Sequence, residues 1–158
     1  MTRLSAFPSL LAMASDLMRV TIAYLLAFPI AWNRERETHS AGLRTFPIVA
    51  AASCALAIVG TGMTGASPDV YSRILQGLVT GIGFIGGGAI LRDGGTIHGT
   101  ATAASVWCVG ITGAAVGFGM YHIAIVLSLV TFLTLRYLMP LKREAHESLP
   151  PGPDGRSS

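Results

Sequence analysis

Several residue groups in this chain could carry chemistry by type and spacing. The run Gly81-Ile-Gly-Phe-Ile-Gly86 matches the dinucleotide pattern G-x-G-x-x-G letter for letter. That pattern works where a buried strand delivers the glycines to a helix N-terminus facing a pyrophosphate, with an acid about 20 residues on for the ribose. Here that count reaches Val106, Asp93 comes too early, and the glycines lie inside the uncharged apolar run 74–91. Nucleotide chemistry is therefore not expected. The glycines need another use.

The loop from Asn33 to Arg44 holds the densest charge, with Arg34, Glu35, Arg36, Glu37 and Arg44. Its plain role is to fix topology. Arg44, however, leads without a spacer into an apolar run, so it is expected at the membrane face, held by an acid. Arg92 and Asp93, which close the glycine-rich run, are expected to join it in one site at the cytoplasmic mouth, with Glu35 competing as the partner acid. At the opposite end Asp69 and Arg73 are four apart with Gln76 one turn deeper, the spacing of a helix-start pair. Asp16 and Arg19 repeat that device.

Other chemistries find no set. Cys54 and Cys108 read as buried packing thiols, and His39, His98, His122 and His146 are isolated in sequence. No metal ligand set, catalytic residue or cofactor is expected, and no nucleic acid.

The elements that position these residues follow from composition. Hydrophobic residues make up 51% of the 158 residues and charged ones 12%, with a mean hydropathy of +0.59. Residues 45–68, 74–91 and 94–135 carry no Asp, Glu, Lys or Arg. A helix crosses the hydrocarbon layer with about 20 residues. These runs hold one, one and two spans, and a weaker first span begins near Arg19. The fold class expected is thus an all-α integral membrane protein with five transmembrane helices, near 17–33, 45–65, 73–91, 99–118 and 121–140. Placing the N-terminus outside and the C-terminus in the cytoplasm puts Arg34, Arg36, Arg44, Arg92, Lys142 and Arg143 on the cytoplasmic side.

Residues 1–14 form an N-terminal segment, residues 15–140 the membrane domain, and residues 141–158 a Pro/Gly/Ser-rich tail expected to be disordered. Arg3 and Ala12-Met13-Ala14 faintly resemble a cleaved secretory signal. Pro8 interrupts the apolar stretch and argues against cleavage.

Helix association in lipid leans on close backbone contact. Gly77 and Gly81 form one G-x-x-x-G and Gly83 and Gly87 another, so this run reads as a packing seam, with Gly86-Gly87-Gly88 also able to loosen the helix. A broken, site-forming helix is the other use of those glycines. On the fourth span Ala101, Ser105, Cys108 and Thr112 share one small, mildly polar face, suited to a second interface with hydroxyl bonds across helices.

Three segments in order resemble the MgtC/SapB family of bacterial membrane proteins. They are Asn33-Arg34-Glu35-Arg36 with Ala41-Gly-Leu-Arg-Thr45; Asp69 to Leu91 with Arg73-Ile-x-Gln76-Gly77 and the glycine run 81–88; and Gly99-Thr-Ala-Thr-Ala-Ala-Ser-Val-Trp107-Cys108. The resemblance covers residues 15–140 and adds Trp107 to the candidates. It implies a multi-pass protein of the bacterial inner membrane, linked to magnesium limitation, acid tolerance and survival in host cells. In such a protein the action implied is non-enzymatic modulation of other inner-membrane proteins, the proton-driven ATP synthase among them, or self-association into a homo-oligomer. A small ion or solute permease for magnesium or protons is the alternative. The chain departs from the family at Ala27-Phe28-Pro29 in the first span, at Ala101 and at His98.

Overall fold

The computed structural model describes residues 10–38, 42–63, 68–93 and 96–138, with Thr38, Arg92, Asp93 and Thr96 in backbone only. The expected N-terminal segment up to residue 9 and the tail from 139 onward lie outside the described residues.

Five helices carry the fold: α1 (Leu10–Thr38), α2 (Thr45–Gly62), α3 (Pro68–Gly88), α4 (Thr100–Gly117) and α5 (Tyr121–Leu133), the last continued by a π-helical turn, Thr134–Leu138. Among the described residues four segments are long and apolar enough to cross a membrane: Leu10–Glu37, Thr45–Gly62, Thr100–Gly117 and Tyr121–Leu138. The chain is therefore an all-helical, multi-pass membrane protein. Helix α3 has 21 residues but falls short in apolarity. Glycine adds almost nothing to transfer from water, and Asp69, Arg73 and Gln76 subtract.

The boundaries differ from the sequence expectation for local reasons. Helix α1 runs 29 residues with Pro29 inside it, about 44 Å at 1.5 Å per residue. It therefore outlasts the hydrocarbon layer and carries Arg34 on its own final turns. Helix α3 opens at Pro68, where a first-turn proline loses no intrahelical bond, with Asp69 in that turn. The three glycines 86–88 neither break α3 midway nor let it reach Leu91. They end it, Ala89 N–H and Ile90 N–H bonding Gly86 O and Gly87 O at 3.1 Å each.

After α3 comes an antiparallel hairpin that was not expected, β1 (Leu91–Asp93) and β2 (Thr96–His98). Leu91 pairs with His98, Arg92 with Ile97 and Asp93 with Thr96. Gly99 then enters α4 at φ 84°, and a Cβ there would strike Ala89 O. Only glycine meets both demands.

Helix α4 packs against each of the other four helices and is the most deeply buried of them. Its neighbours fix every direction. Arg19 reaches Gly117 and Arg34 reaches Thr102, so α1 and α4 are antiparallel. Gly113 abuts Ala50 and Gly117 abuts Cys54, so α2 and α4 are parallel. Ile82 meets Gly110, and Gly86 meets Ala103, so α3 opposes α4. The five helices alternate in direction.

The core is built from small residues. Ala23, Ala27 and Ala31 of α1 are fully buried at four-residue spacing, as are Phe46, Ala50 and Cys54 of α2. In lipid such stripes let backbones approach closely. Alanines thus do for α1 what glycines were expected to do. One further tie joins α5 to α1, the Ser128 hydroxyl donating to Leu26 O at 2.7 Å.

Candidate functional site

Among the described residues the buried charged side chain is Arg34, only 2% exposed. Its position follows from α1. Arg34 continues the stripe Ala23, Ala27, Ile30, Ala31, so the periodicity that buries the alanines buries the arginine too. Its Nη2 donates to the Thr102 hydroxyl of α4 at 2.9 Å, and Glu37 acts on it electrostatically one turn later. A buried guanidinium demands such company. The bond ties the last turns of α1 to the first turn of α4.

Glu35, on the adjacent face, holds the entry to α2. One of its carboxylate oxygens accepts from Leu43 N–H at 3.2 Å, just before the helix begins at Thr45. A carboxylate there supplies an acceptor to a backbone group that lacks one and complements the positive end of the helix dipole. Gly42 makes the approach feasible: a Cβ at that residue would come within 2.6 Å of Ala31 O and 2.7 Å of Glu35 N. Arg34, Glu35, Gly42 and Thr102 therefore clamp α1, α2 and α4 together at one end of the bundle.

Arg44 is not part of that clamp. Its side chain is exposed, and it sits at the N-cap of α2 without a side-chain capping bond. The reason is register: α2 buries Phe46, Pro47, Val49 and Ala50, which turns residue 44 outward. Glu35, the competing acid for Arg44, instead accepts from Leu43 N–H. Arg92 and Asp93 lie on β1 with only their backbone described, so their expected place beside Arg44 lies outside what is described of their side chains.

At the other end Asp69, Arg73 and Gln76 are exposed and stand on α3 away from the clamp. Arg19 reaches Gly117 O at 3.5 Å, an arginine at the end of α4 where carbonyls lack helical partners. Trp107 is 45% exposed on the outer face of α4.

The expected glycine seam divides. A Cβ at Gly77, Gly81, Gly83 or Gly87 would meet nothing within 4 Å, whereas at Gly86 it would lie 3.2 Å from Ala103 O. Of the glycines of α3, only Gly86 lies against α4. The tight approaches belong to α4: a Cβ at Gly113 would strike Ala50 O, one at Gly117 would lie 2.5 Å from Cys54 O, and one at Gly110 would strike the Ile82 side chain. Gly113-Ala-Ala-Val-Gly117 is itself a G-x-x-x-G, a signal in the sequence that the glycine-rich α3 overshadowed.

Ser105 is buried and Cys108 half-buried on α4, but the hydroxyls of their face do not bond across helices. Ser105 donates to Ala101 O at 2.6 Å and Thr112 to Cys108 O at 2.9 Å, each within its own helix. The one hydroxyl of α4 that bonds across is Thr102. Among the described residues no group of three or more His, Cys, Asp or Glu could hold a metal ion.

Gly77 and Gly81 instead line an open apolar groove of about 300 Å3 between α2 and α3. The two helices touch where Gly60 receives the Ile74 side chain, and the groove opens along Ile48, Ala52, Ser53 and Ile85. Ser53, itself 2% exposed, is the polar group on its wall.

Comparison with known proteins matches residues 20–144 to the MgtC family. The chain is 34% identical to protein SrpB of Synechococcus elongatus over 80% of this chain and 76% of SrpB. It is also 34% identical to protein MgtC of Salmonella typhimurium, over 72% of this chain and 48% of that protein, and 32% identical to protein MgtC of Brucella abortus, over 75% and 49%. The chain thus spans about half the length of the two MgtC relatives. No solved structure matches it.

Proposed function

The chain belongs to the MgtC family, and from that premise we propose that it is a non-enzymatic, five-span protein of the bacterial inner membrane that modulates partner membrane proteins. Its role is adaptation to magnesium limitation, acid or host-associated stress. The topology has the N-terminus outside and the C-terminus in the cytoplasm. Supporting that reading, helix α3 alternates in direction with its neighbours, and Arg34, Arg36, Arg44 and Arg136 gather at the end of the bundle opposite Arg19 and Arg73, the bias that cytoplasmic basic residues create.

The observation that carries partner modulation is the division among the glycines. The close-packed glycine contacts of α4 with α2 and α3 are made within the chain, while Gly77 and Gly81 stay open along the α2–α3 groove. Glycines left without an internal neighbour suit backbone approach by a helix of another protein. Partners of this kind include the ATP synthase implied by the family resemblance, or a second copy.

The proposal and the permease alternative give opposite results in vesicles. Purified protein in liposomes is expected to give magnesium and proton flux equal to that of empty vesicles under a gradient, and a photo-crosslinker at Ile85 is expected to join a second membrane polypeptide in native membranes. Sustained flux above empty vesicles would favour the permease.

A further inference from the structure

A polar cavity of about 310 Å3 opens between the ends of α1 and α5, beside the clamp but not part of it. Trp32, Asn33, Arg36 and Glu37 line it from α1, and Phe132 and Arg136 from α5 and its π-helical turn. Arg36 is fixed there by stacking, its guanidinium carbon 4.9 Å from the Trp32 ring centroid, and Trp32 is braced by Phe28 at 6.2 Å. Arg36 and Arg136 are the cations of its lining, beside the Glu37 carboxylate, which also acts on Arg34. Asn33 Oδ1 is buried and has no hydrogen-bond partner among the described residues. The cavity therefore offers two guanidinium groups and one buried acceptor that asks for a donor.

Below it, toward the middle of the bundle, the flanking surface is apolar and exposed: Leu25 and Phe28 on α1, Leu129 and Leu133 on α5. Charge at the interface above an apolar track is the layout of a lipid, not of a free ion. Tryptophan beside arginine at the level of the headgroups fits the same depth.

We propose that this α1–α5 cavity binds the headgroup of an anionic phospholipid that carries its own hydrogen-bond donor. Its phosphate is held by Arg36 and Arg136, a headgroup hydroxyl donates to Asn33 Oδ1, and the acyl chains follow the Leu25–Leu129 surface. Guanidinium forks match phosphate oxygens in geometry as well as charge. The inference needs the chain to be a membrane protein but is independent of the stress role proposed above. Its ligand is a structural lipid of the bundle, so a failed complementation experiment would leave it standing.

The test is native mass spectrometry of the detergent-purified full chain, titrated with phosphatidylglycerol, with phosphatidylcholine of the same acyl chains, and with inorganic phosphate. Phosphatidylglycerol is expected to give a single saturable adduct. Phosphatidylcholine, which has no net charge and no donor, is expected to bind at least about tenfold more weakly. In the Arg36→Gln/Arg136→Gln variant the phosphatidylglycerol adduct should weaken by at least about tenfold while the melting temperature holds. Equal binding of the two lipids by the unaltered chain overturns the proposal without recourse to any variant. So does undiminished adduct in the double variant, or displacement of phosphatidylglycerol by inorganic phosphate at a similar concentration, which would make this a free-anion site.

Discussion

Helices α3 and α4 both carry glycines at helical spacing, and they use them in opposite ways. In α4 the glycines meet neighbours: Gly113 lies on the Ala50 carbonyl, Gly117 on Cys54 O and the Ala57 methyl, and Gly110 on Ile82. In α3 the side chains of Leu78 and Ile82 make the contact, with Gly86 alone among its glycines in touch with another helix. Its other glycines face a groove or open space. The same motif thus serves as a core device in one helix and as free surface in the next, and what decides between them is which face the bulky residues occupy.

Substitution separates the two uses. The largest effect is expected at Gly113, where a side chain would meet backbone that cannot step aside. Gly113→Leu should cost about 3 kcal/mol or more, read as loss of folded protein on size exclusion in detergent. Thr102→Val comes next. It keeps the volume but removes the acceptor of a buried guanidinium, and about 2 kcal/mol of stability should go with it, seen as a lowered melting temperature. Gly110→Ala is milder, at about 1 kcal/mol, because the obstacle is the Ile82 side chain and not backbone. Gly81→Leu should leave the isolated protein within about 0.5 kcal/mol of the parent. A Gly81 variant that melts early would restore the α3 seam to the interior of the fold and erase the contrast.

Much of this was legible in the sequence. The apolar runs marked the helices, and the cluster from Asn33 to Arg44 marked the end of the bundle where charge is organised. Within that cluster, however, the buried arginine is Arg34, not Arg44. Its burial depends on α1 continuing past the membrane in unbroken register with Ala23, Ala27 and Ala31, and a first span stopped at residue 33 hides that register. Glu35 was legible as an acid near the membrane. Its partner is a backbone N–H, which no side-chain pattern reveals. The hairpin 91–98 was signalled by Gly94-Gly95, but short strands beside a glycine-rich helix read as the helix running on. Thr102 was passed over for Ser105 and Cys108 because its value lies in what faces it across the bundle, a property of tertiary packing.

The central claim is that the α2–α3 groove, with Gly81 on its wall, is where a partner engages a bundle that is already complete. Its most direct test is complementation of a deletion strain with Gly81→Leu under low magnesium or acid stress, with accumulation and melting of the same variant measured alongside. The expected result is normal accumulation and melting with loss of the stress phenotype. Full complementation by a Gly81→Leu protein shown to be folded would contradict it.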